Sequence, residues 1–306
     1  MIMTRDWMGC MKNIFTLQKE REAPKGVKAT AWASMTHVLQ PAYTVRLRPD
    51  QEGKVDSESG KLQAASPVLS WHGMTDTGRV RPHNEDNFAC QDFGSRSLFV
   101  VADGMGGHDA GEIASKIAVK TICKEVMEQA KHNDDPQGLL ELVVRLANVE
   151  VRKEGWSRGS NMGTTLSLAL VDGDRAYIAN VGDSRAYWIE NGSITQITED
   201  HSLVAKLVVS GKLTKEEARH HPKSNLLYRS IGTDEMVKVD TFTVNLKKGG
   251  NLLLCTDGLW GELSDEEIHG ICSSEKKCET ICASLLKRAN EHGGKDNITA
   301  VVVKVG

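Results

Sequence analysis

The sequence predicts an α+β protein whose antiparallel sheets are covered by pairs of helices. Three observations carry this prediction. Short runs of β-forming residues recur between turn signals. Their order is strand, two helices, several strands, a short helical segment, strands, two helices and a final strand, which is typical of sheets layered with helices. Asn191-Gly192 marks a tight hairpin, and the partners in a hairpin are antiparallel.

The composition is that of a soluble globular protein. Apolar residues make up 40% and charged residues 26% of the 306 residues. The formal net charge of −3 argues against nucleic acid or an anionic membrane surface as a partner. No apolar run approaches the roughly 20 residues of a membrane-spanning helix. Asp6, Lys12 and Lys19 interrupt any signal-peptide core. We therefore expect no nucleic-acid partner and no membrane association.

Cysteine usage predicts a cytoplasmic location. The chain has 7 cysteines, an odd number, and they form no C-x-x-C pair. Such cysteines are typical of a reducing compartment, in which they behave as small apolar residues.

The chain divides into two regions of different character. Residues 1–66 lack a sustained hydrophobic period, and the stretch from Asp50 to Pro67 is polar and rich in Ser and Gly. We predict a disordered or poorly ordered extension over 1–66 and a folded domain over 67–306.

Within the folded domain the elements follow from local patterns. Helices are predicted where apolar residues recur every three or four positions, at 112–131, 137–153, 202–210 and 275–291. Strands are predicted at 68–74, 98–102, 163–171, 175–181, 184–190, 193–197, 237–244, 251–256 and 297–304. The polar run 79–86 is interpreted as a loop.

Capping signals mark the helix starts. Asp200 is predicted to cap the helix at 202–210, and Thr214 with Glu217 forms a capping box for a short helix that follows. Ser264 and Glu267 form another capping box. The stretch from about 199 to 224 lies between β-elements and is interpreted as a small helical flap.

Four acids stand at the ends of predicted strands. Asp103 ends the buried run Leu98–Ala102 and is followed at once by Gly104. A carboxylate there is costly unless a cation compensates its charge, and glycine lets a backbone carbonyl turn toward a ligand. For a single acid of this kind, an ordinary turn is the better explanation. The same pattern recurs at Asp183, Asp257 and Asp296, and the recurrence favours a metal site.

The acids indicate which metal and which reaction to expect. Aspartates without accompanying His or Cys are hard oxygen ligands, which favour Mg²⁺ or Mn²⁺ over zinc. Two such ions about 3.5–4 Å apart can acidify a shared water and direct it at phosphorus. A guanidinium suits the phosphoryl oxygens, and Arg81 lies in the loop before Asp103. The residues alone thus indicate metal-assisted hydrolysis of a phosphoester.

Seven motifs are spread over the folded domain. They are RPHNED (81–86), VVADGMGGHDAGEIAS (100–115), MGTT (162–165), VGDSRAY (181–187), the flap pattern DHSL…GKLTKEEARHHP…NLLYRSIG (200–232), CTDGL (255–259) and GGKDNIT (293–299). In these motifs, and in their order, the chain resembles the metal-dependent Ser/Thr protein phosphatases of type 2C, in their bacterial form. The resemblance does not extend to residues 1–66.

The resemblance implies a fold and a reaction. The fold is a sandwich of two packed antiparallel β-sheets, flanked on each side by a pair of antiparallel helices, with the small helical flap. The reaction is hydrolysis of phosphoserine and phosphothreonine in phosphoprotein substrates by a metal-bridging hydroxide, without a phosphoenzyme. A Ser/Thr protein kinase is the implied antagonist, and we expect a monomer.

The resemblance also implies ligands for two Mn²⁺ or Mg²⁺ ions. Asp103 matches the residue that bridges the two ions. Asp257 and Asp296 complete one of these sites. The carbonyl of Gly104 serves the other, with Glu85 acting through water.

Further roles follow by the same resemblance. Asp183 matches a ligand of a third, weaker ion, for which Asp257 is shared. Arg81 matches the phosphate-binding arginine. Some relatives place a histidine, as general acid, at the position that Met105 occupies here. His108 is the nearby candidate, with a loop histidine bonded to backbone as its alternative role.

Three other functions compete with this one. Nucleotide binding is disfavoured because the glycines after Asp103 fit neither G-x-G-x-x-G nor a P-loop, and the acid would repel a pyrophosphate. Cys282 and Arg288 have the C-x5-R spacing of a cysteine phosphatase, but Cys282 lies on an apolar helical stripe without glycines. A phosphatase-like binding module without catalysis is the remaining alternative. It is disfavoured because no acid has been replaced.

Overall fold

The structure, a computed structural model, describes residues 67–106, 110–130, 134–219 and 221–306. The predicted extension over 1–66 and the candidate acid His108 lie outside these residues. The strands are β1 (Leu69–Asp76), β2 (Asp86–Phe93), β3 (Arg96–Met105), β4 (Gly163–Thr164), β5 (Leu166–Asp172), β6 (Arg175–Val181), β7 (Arg185–Glu190), β8 (Ser193–Gln196), β9 (Asp240–Asn245), β10 (Asn251–Cys255) and β11 (Ile298–Val305). The helices are α1 (Ala110–Gln129), α2 (Pro136–Arg158), α3 (Leu203–Val209), α4 (Lys215–Arg219), α5 (Asp257–Trp260), α6 (Asp265–Ser274) and α7 (Cys278–Glu291).

The strands form two sheets. In the first sheet the order is β1-β11-β10-β7-β8. In the second it is β2-β3-β5-β6-β9, with β4 paired to the end of β3. The neighbouring strands of both sheets are antiparallel. This confirms the predicted antiparallel architecture.

Alternation along β3 shows how the layers are held together. Leu98 and Val100 are fully buried in a cluster with side chains of α1 and α2. Phe99 and Val101 point the other way, into a cluster between the two sheets. The last strand, β11, alternates in the same manner between the inter-sheet cluster and a third cluster under α6 and α7. The predicted sandwich with a helix pair on each outer face is confirmed.

The sandwich has two different ends. The turns at 94–95, 173–174 and 191–192 join β2 to β3, β5 to β6 and β7 to β8 at one end, which we call the hairpin end. At the opposite end β3, β6 and β10 finish, and β2, β7 and β11 begin. None of the helices in the described ranges has both the length and the apolar character that crossing a membrane requires.

Three local features differ from the prediction. Strand β2 was missed because it is an edge strand of mostly intermediate burial, which gives no clean apolar run. Asp200 does not cap α3. The N-cap is Ser202, whose hydroxyl accepts from the N–H of Ala205 at 3.3 Å, while Asp200 pairs with Arg185. The helix predicted over 275–291 begins later, at Cys278.

Candidate metal centre

The backbone of Asp103 is held in place by hydrogen bonds to Thr165. Its N–H donates to the hydroxyl of Thr165 at 2.9 Å, and its carbonyl accepts from the N–H of Thr165 at 2.8 Å. On the other side of β3, Asp86 is its partner in the register of β2 and β3. The position of Asp103 is therefore fixed by main-chain contacts, and its side chain interacts with that of Asp257.

Asp257 and Asp296 come from two segments that touch at Gly258. Asp257 begins α5 just after β10, and Asp296 lies just before β11. A Cβ atom on Gly258 would overlap the carbonyl oxygen of Asn297. Only glycine lets the two acid-bearing segments approach this closely.

Gly104 and Glu85 make a similar close contact on the β3 side. The N–H of Gly104 donates to the carbonyl of Glu85 at 3.2 Å. A Cβ atom on Gly104 would overlap the backbone at the start of α1. The N–H of Glu85 donates to Oδ1 of Asn297 at 2.8 Å. Asn297 in turn donates to the carbonyls of Thr77 and His83, each at 2.9 Å, and so binds this loop to the segment of Asp296.

Asp86 is a buried acid that the sequence analysis did not single out. Its Oδ2 accepts from the hydroxyls of Thr256 at 2.8 Å and Thr299 at 2.6 Å. Its Oδ1 has no hydrogen-bond partner among the described residues. Asp86 thus links the start of β2 to the strands that carry Asp257 and Asp296. The adjacent acids of the motif RPHNED were the only signal that could have pointed to it.

Asp183 lies buried in the turn between β6 and β7. Its carbonyl accepts from the indole N–H of Trp260 at 3.0 Å. Arg185 stacks on that indole, with its guanidinium carbon 3.5 Å from the ring centroid. The same guanidinium pairs with Asp200, at 2.6 Å for the shortest contact. Asp183 is therefore placed by a stacked aromatic and a buried ion pair.

Arg81 lies at the edge of this group of acids. Its Nη2 is 2.6 Å from Oδ2 of Asp296, and its side chain is 43% exposed. Arg79 is also exposed, and in the described ranges its guanidinium forms no ion pair. The arginine that was predicted to bind phosphate is thus the one that contacts the acids.

The acids raise one another's pKa. Burial is the largest cause, and neighbouring carboxylates add to it. The pKa of Asp257 is raised to about 6, with Asp296 contributing, and that of Asp86 to about 7, with Asp257 contributing. For the same reasons the pKa values of Asp103 and Asp183 lie well above their ordinary range. Acidic side chains are concentrated here, and Arg81 contacts one of them directly, at Asp296. We call this end of the sandwich the acid end.

The acid end suits divalent metal ions. Oδ1 of Asp257 and Oδ1 of Asp86 are buried and have no partner in the described part of the chain, and a cation would compensate them. The donors are oxygens, which Mg²⁺ and Mn²⁺ prefer. Across the described ranges, no three Asp, Glu, His or Cys side chains form a closed ligand set. The carboxylates thus lie within electrostatic reach of one another without forming a complete coordination shell.

Cys282 does not have the surroundings of a nucleophile. It lies within α7 and is fully buried. Burial raises the pKa of its thiol, whereas a reactive cysteine needs a lowered one. The C-x5-R spacing is therefore a coincidence of a helical sequence.

Comparison with known proteins identifies the family. Residues 79–302 match the family described as Protein phosphatase 2C. The chain belongs to this family. A relative from Listeria monocytogenes, the serine/threonine phosphatase stp, is 38% identical over 237 residues, which are 75% of this chain and 93% of the relative. This protein phosphatase 2C is therefore a hydrolase.

Solved structures of similar proteins show the same fold. The serine/threonine phosphatase of S. agalactiae superimposes with a TM-score of 0.74 at 33% identity, covering 78% of this chain and 100% of that one. The catalytic domain of the phosphatase PstP, in complex with 2 manganese ions, gives a TM-score of 0.70 at 33% identity, covering 78% and 98%. The structural likeness thus spans the described domain of this protein phosphatase 2C.

Proposed function

We propose that this protein phosphatase 2C hydrolyses phosphoserine and phosphothreonine in protein substrates with the help of Mn²⁺ or Mg²⁺. The observation that carries the proposal is the acid end itself, where five aspartates meet around Gly104 and Gly258 with Arg81 beside them. They are Asp86, Asp103, Asp183, Asp257 and Asp296. Two relatives support the choice, since one is named a serine/threonine phosphatase and another was solved with manganese.

Four of the five aspartates have a proposed role toward the ions. Asp103 would bridge two ions, with Asp257 and Asp296 completing one site. The carbonyl of Gly104 would serve the other, together with Glu85 through water. When bound, the ions would acidify a water held between them and supply a hydroxide for direct attack on phosphorus.

Two further residues complete the proposal. Asp183 would hold a third, weaker ion together with Asp257. Arg81 would bind the phosphoryl oxygens, for which its planar fork of donors is suited. Its position supports this role, because its exposed guanidinium already lies beside Asp296.

The proposal extends to the substrates, the opposing enzyme, the oligomeric state and the location. Phosphoproteins would be the substrates, and a Ser/Thr protein kinase would act in opposition. The enzyme would act as a monomer in the cytoplasm. A binding module without catalysis is not favoured, because every acid that the reaction needs is in place.

Replacement of single acids tests the site. Asp103→Asn and Asp257→Asn should each abolish Mn²⁺-dependent hydrolysis of a phosphopeptide, because loss of a charged ligand weakens metal binding and raises the pKa of the attacking water. EDTA should abolish the wild-type reaction. The matched control is Asp174→Asn, in the exposed turn at the hairpin end, which should keep full activity. Retention of more than about a tenth of wild-type kcat by either site variant would contradict the assignment.

A further inference from the structure

A cleft of about 560 Å³ opens next to the acid end. Its lining includes Met105 from the end of β3, Arg152 and Trp156 from the last turns of α2, and Asn161 and Thr233 from the loops beside them. The cleft lies close to the proposed site. Met105 is two residues beyond Asp103 on one strand, so their Cα atoms are about 7 Å apart at roughly 3.3 Å per residue.

Arg152 differs from the other basic residues of α2. Three of the four basic side chains of this helix pair with a glutamate about one turn away, namely Arg145 with Glu141, Lys153 with Glu150 and Arg158 with Glu154. Arg152 has no carboxylate partner among the described residues, and it lines the cleft. The helix thus neutralises its other cations and leaves this one available.

Trp156 holds the free guanidinium at the cleft. The guanidinium carbon of Arg152 lies 4.7 Å from the centroid of the indole ring. The indole is 74% exposed, which leaves a large apolar surface in contact with water. A stacked cation on an exposed aromatic offers a peptide both apolar contact and positive charge.

We infer that this cleft receives the segment of the phosphoprotein next to the phosphoresidue, and that Arg152 selects a segment with an acidic side chain. The inference rests on the proposed phosphatase function. An extended peptide that starts at Asp103 reaches the cleft within about two to four residues. An acidic side chain in that segment finds in Arg152 a positive charge that no carboxylate of the described residues already pairs. Arg81 and Arg152 then have separate roles, one toward the phosphate and one toward the flanking sequence.

Matched phosphopeptides test the inference. Each peptide carries one phosphothreonine and one glutamate. The position of the glutamate varies across the set, from four residues before the phosphothreonine to four residues after it. Each peptide has a counterpart in which glutamine replaces the glutamate. We expect wild-type kcat/KM to be about three- to fivefold higher for glutamate than for glutamine at one or two positions on one side, the size of a partly exposed ion pair. Arg152→Gln should remove this preference.

Two variants sharpen the test. Arg152→Glu should reverse the preference, so that a lysine peptide becomes better than the glutamate peptide. Lys153→Gln removes a neighbouring positive charge that is already paired on the same helix, and it should keep the wild-type preference. Hydrolysis of a small aryl phosphate, which does not reach Arg152, should be equal in all these proteins.

The outcomes separate the inference from the proposed function. Equal rates on glutamate and glutamine peptides, or a preference that survives Arg152→Gln, would overturn the inference while aryl-phosphate hydrolysis continued. Absence of aryl-phosphate hydrolysis in the wild-type protein would overturn the proposed function, and the inference with it.

Discussion

At the scale of single residues, the acid end is held by main-chain contacts and hydroxyl groups more than by ion pairs. Thr165 fixes the backbone of Asp103, and two threonine hydroxyls satisfy one oxygen of Asp86. Arg81 is the cation that contacts one of these acids directly, at Asp296. Its exposure means that a phosphate could compete for it, which leads to a kinetic prediction.

Arg81→Ala should mainly raise KM, with kcat lowered less, because the guanidinium would grip the phosphoryl oxygens in ground and transition states alike. A charge-assisted bidentate contact is worth about 1.5–3 kcal/mol, or roughly ten- to a hundredfold in kcat/KM. Arg81→Lys should recover only part of the loss, because an ammonium keeps the charge without the fork. Steady-state kinetics on a phosphopeptide measures both effects.

Arg79 provides the control for this prediction. It is two residues away, also exposed, and makes no ion pair with any described residue. Arg79→Ala should therefore leave kcat and KM nearly unchanged. If Arg79→Ala cost more than Arg81→Ala, the phosphate would have been assigned to the wrong arginine.

The raised pKa values predict how the metal-free protein responds to pH. A folded acid with a raised pKa keeps its proton after the unfolded chain has lost it, so stability falls as pH rises from the ordinary pKa of aspartate, about 4, to the folded pKa. The pKa of about 6 for Asp257 and of about 7 for Asp86 place this fall between about pH 4 and pH 7, and the raised pKa values of Asp103 and Asp183 act in the same direction. In EDTA, Tm should be several degrees lower at about pH 7 than at about pH 5.

Calorimetry with and without metal checks this response. Burial lowers the pKa of His201, so the contribution of this residue has the opposite sign below about pH 6.5 and offsets part of the fall. Mn²⁺ should raise Tm more at about pH 7 than at about pH 5, because metal binding displaces protons. Asp183→Asn should make the Tm measured in EDTA depend less on pH. A Tm independent of pH in EDTA would show that the acids are already compensated.

At the scale of elements, the close contact at Gly258 predicts a specific loss. Gly258→Ala forces α5 away from the segment before β11. We expect at least a tenfold loss of kcat and weaker binding of Mn²⁺, because Asp257 and Asp296 would no longer approach each other. Activity measured against Mn²⁺ concentration gives both numbers.

A second glycine in a nearby helix serves as the control. A Cβ atom on Gly270, within α6, would meet no atom within 4 Å. Gly270→Ala should keep full activity and stabilise the protein by about 0.4–1 kcal/mol, because alanine favours the helix. Loss of activity in this variant would mean that glycine replacement disturbs the domain generally.

Helices and strands could be predicted from the sequence where their signals are local. The capping boxes at Thr214 and Ser264 form as predicted, because both depend on residues only three positions apart. The fully buried run Leu98–Ala102 was equally clear. The edge strand β2 was not, since its burial depends on neighbours that are distant in sequence. The choice of Ser202 over Asp200 as cap was decided by a tertiary partner, Arg185.

At the scale of the whole molecule, each acid could be predicted from the sequence, but the convergence of the acids at one site could not. Each follows or precedes a strand, which is a local pattern. Their convergence depends on how the strands are arranged in two packed sheets, and only the family resemblance supplied that two-sheet sandwich. For Asp86 the adjacent acids of RPHNED were the one local signal, and they do not reveal its hydroxyl partners, which are distant in sequence. The cleft beside Arg152 was missed because no local pattern marks a cation without a carboxylate partner.

Removal of residues 1–66 should leave both stability and catalysis unchanged. The prediction rests on their sequence, which lacks a periodic apolar face, and it stays a prediction because these residues lie outside the described ranges. Calorimetry and phosphopeptide kinetics on a chain that begins at Pro67 would check it. A fall in Tm of more than a few degrees would show that the segment packs on the domain.

The hairpin end has a practical consequence for handling the protein. β1 and β11 are paired so that Leu69 lies opposite Val305, and the N–H of Gly306 donates to the carbonyl of Val68 at 2.8 Å. The domain therefore starts and finishes side by side, on the far side from the carboxylates. A fluorescent reporter or a surface tether attached at Gly306 would leave the reacting face turned toward solution. In a chain without residues 1–66, a short linker from Gly306 to Pro67, with a new opening at the turn 173–174, would give a circular permutant whose acid end is untouched.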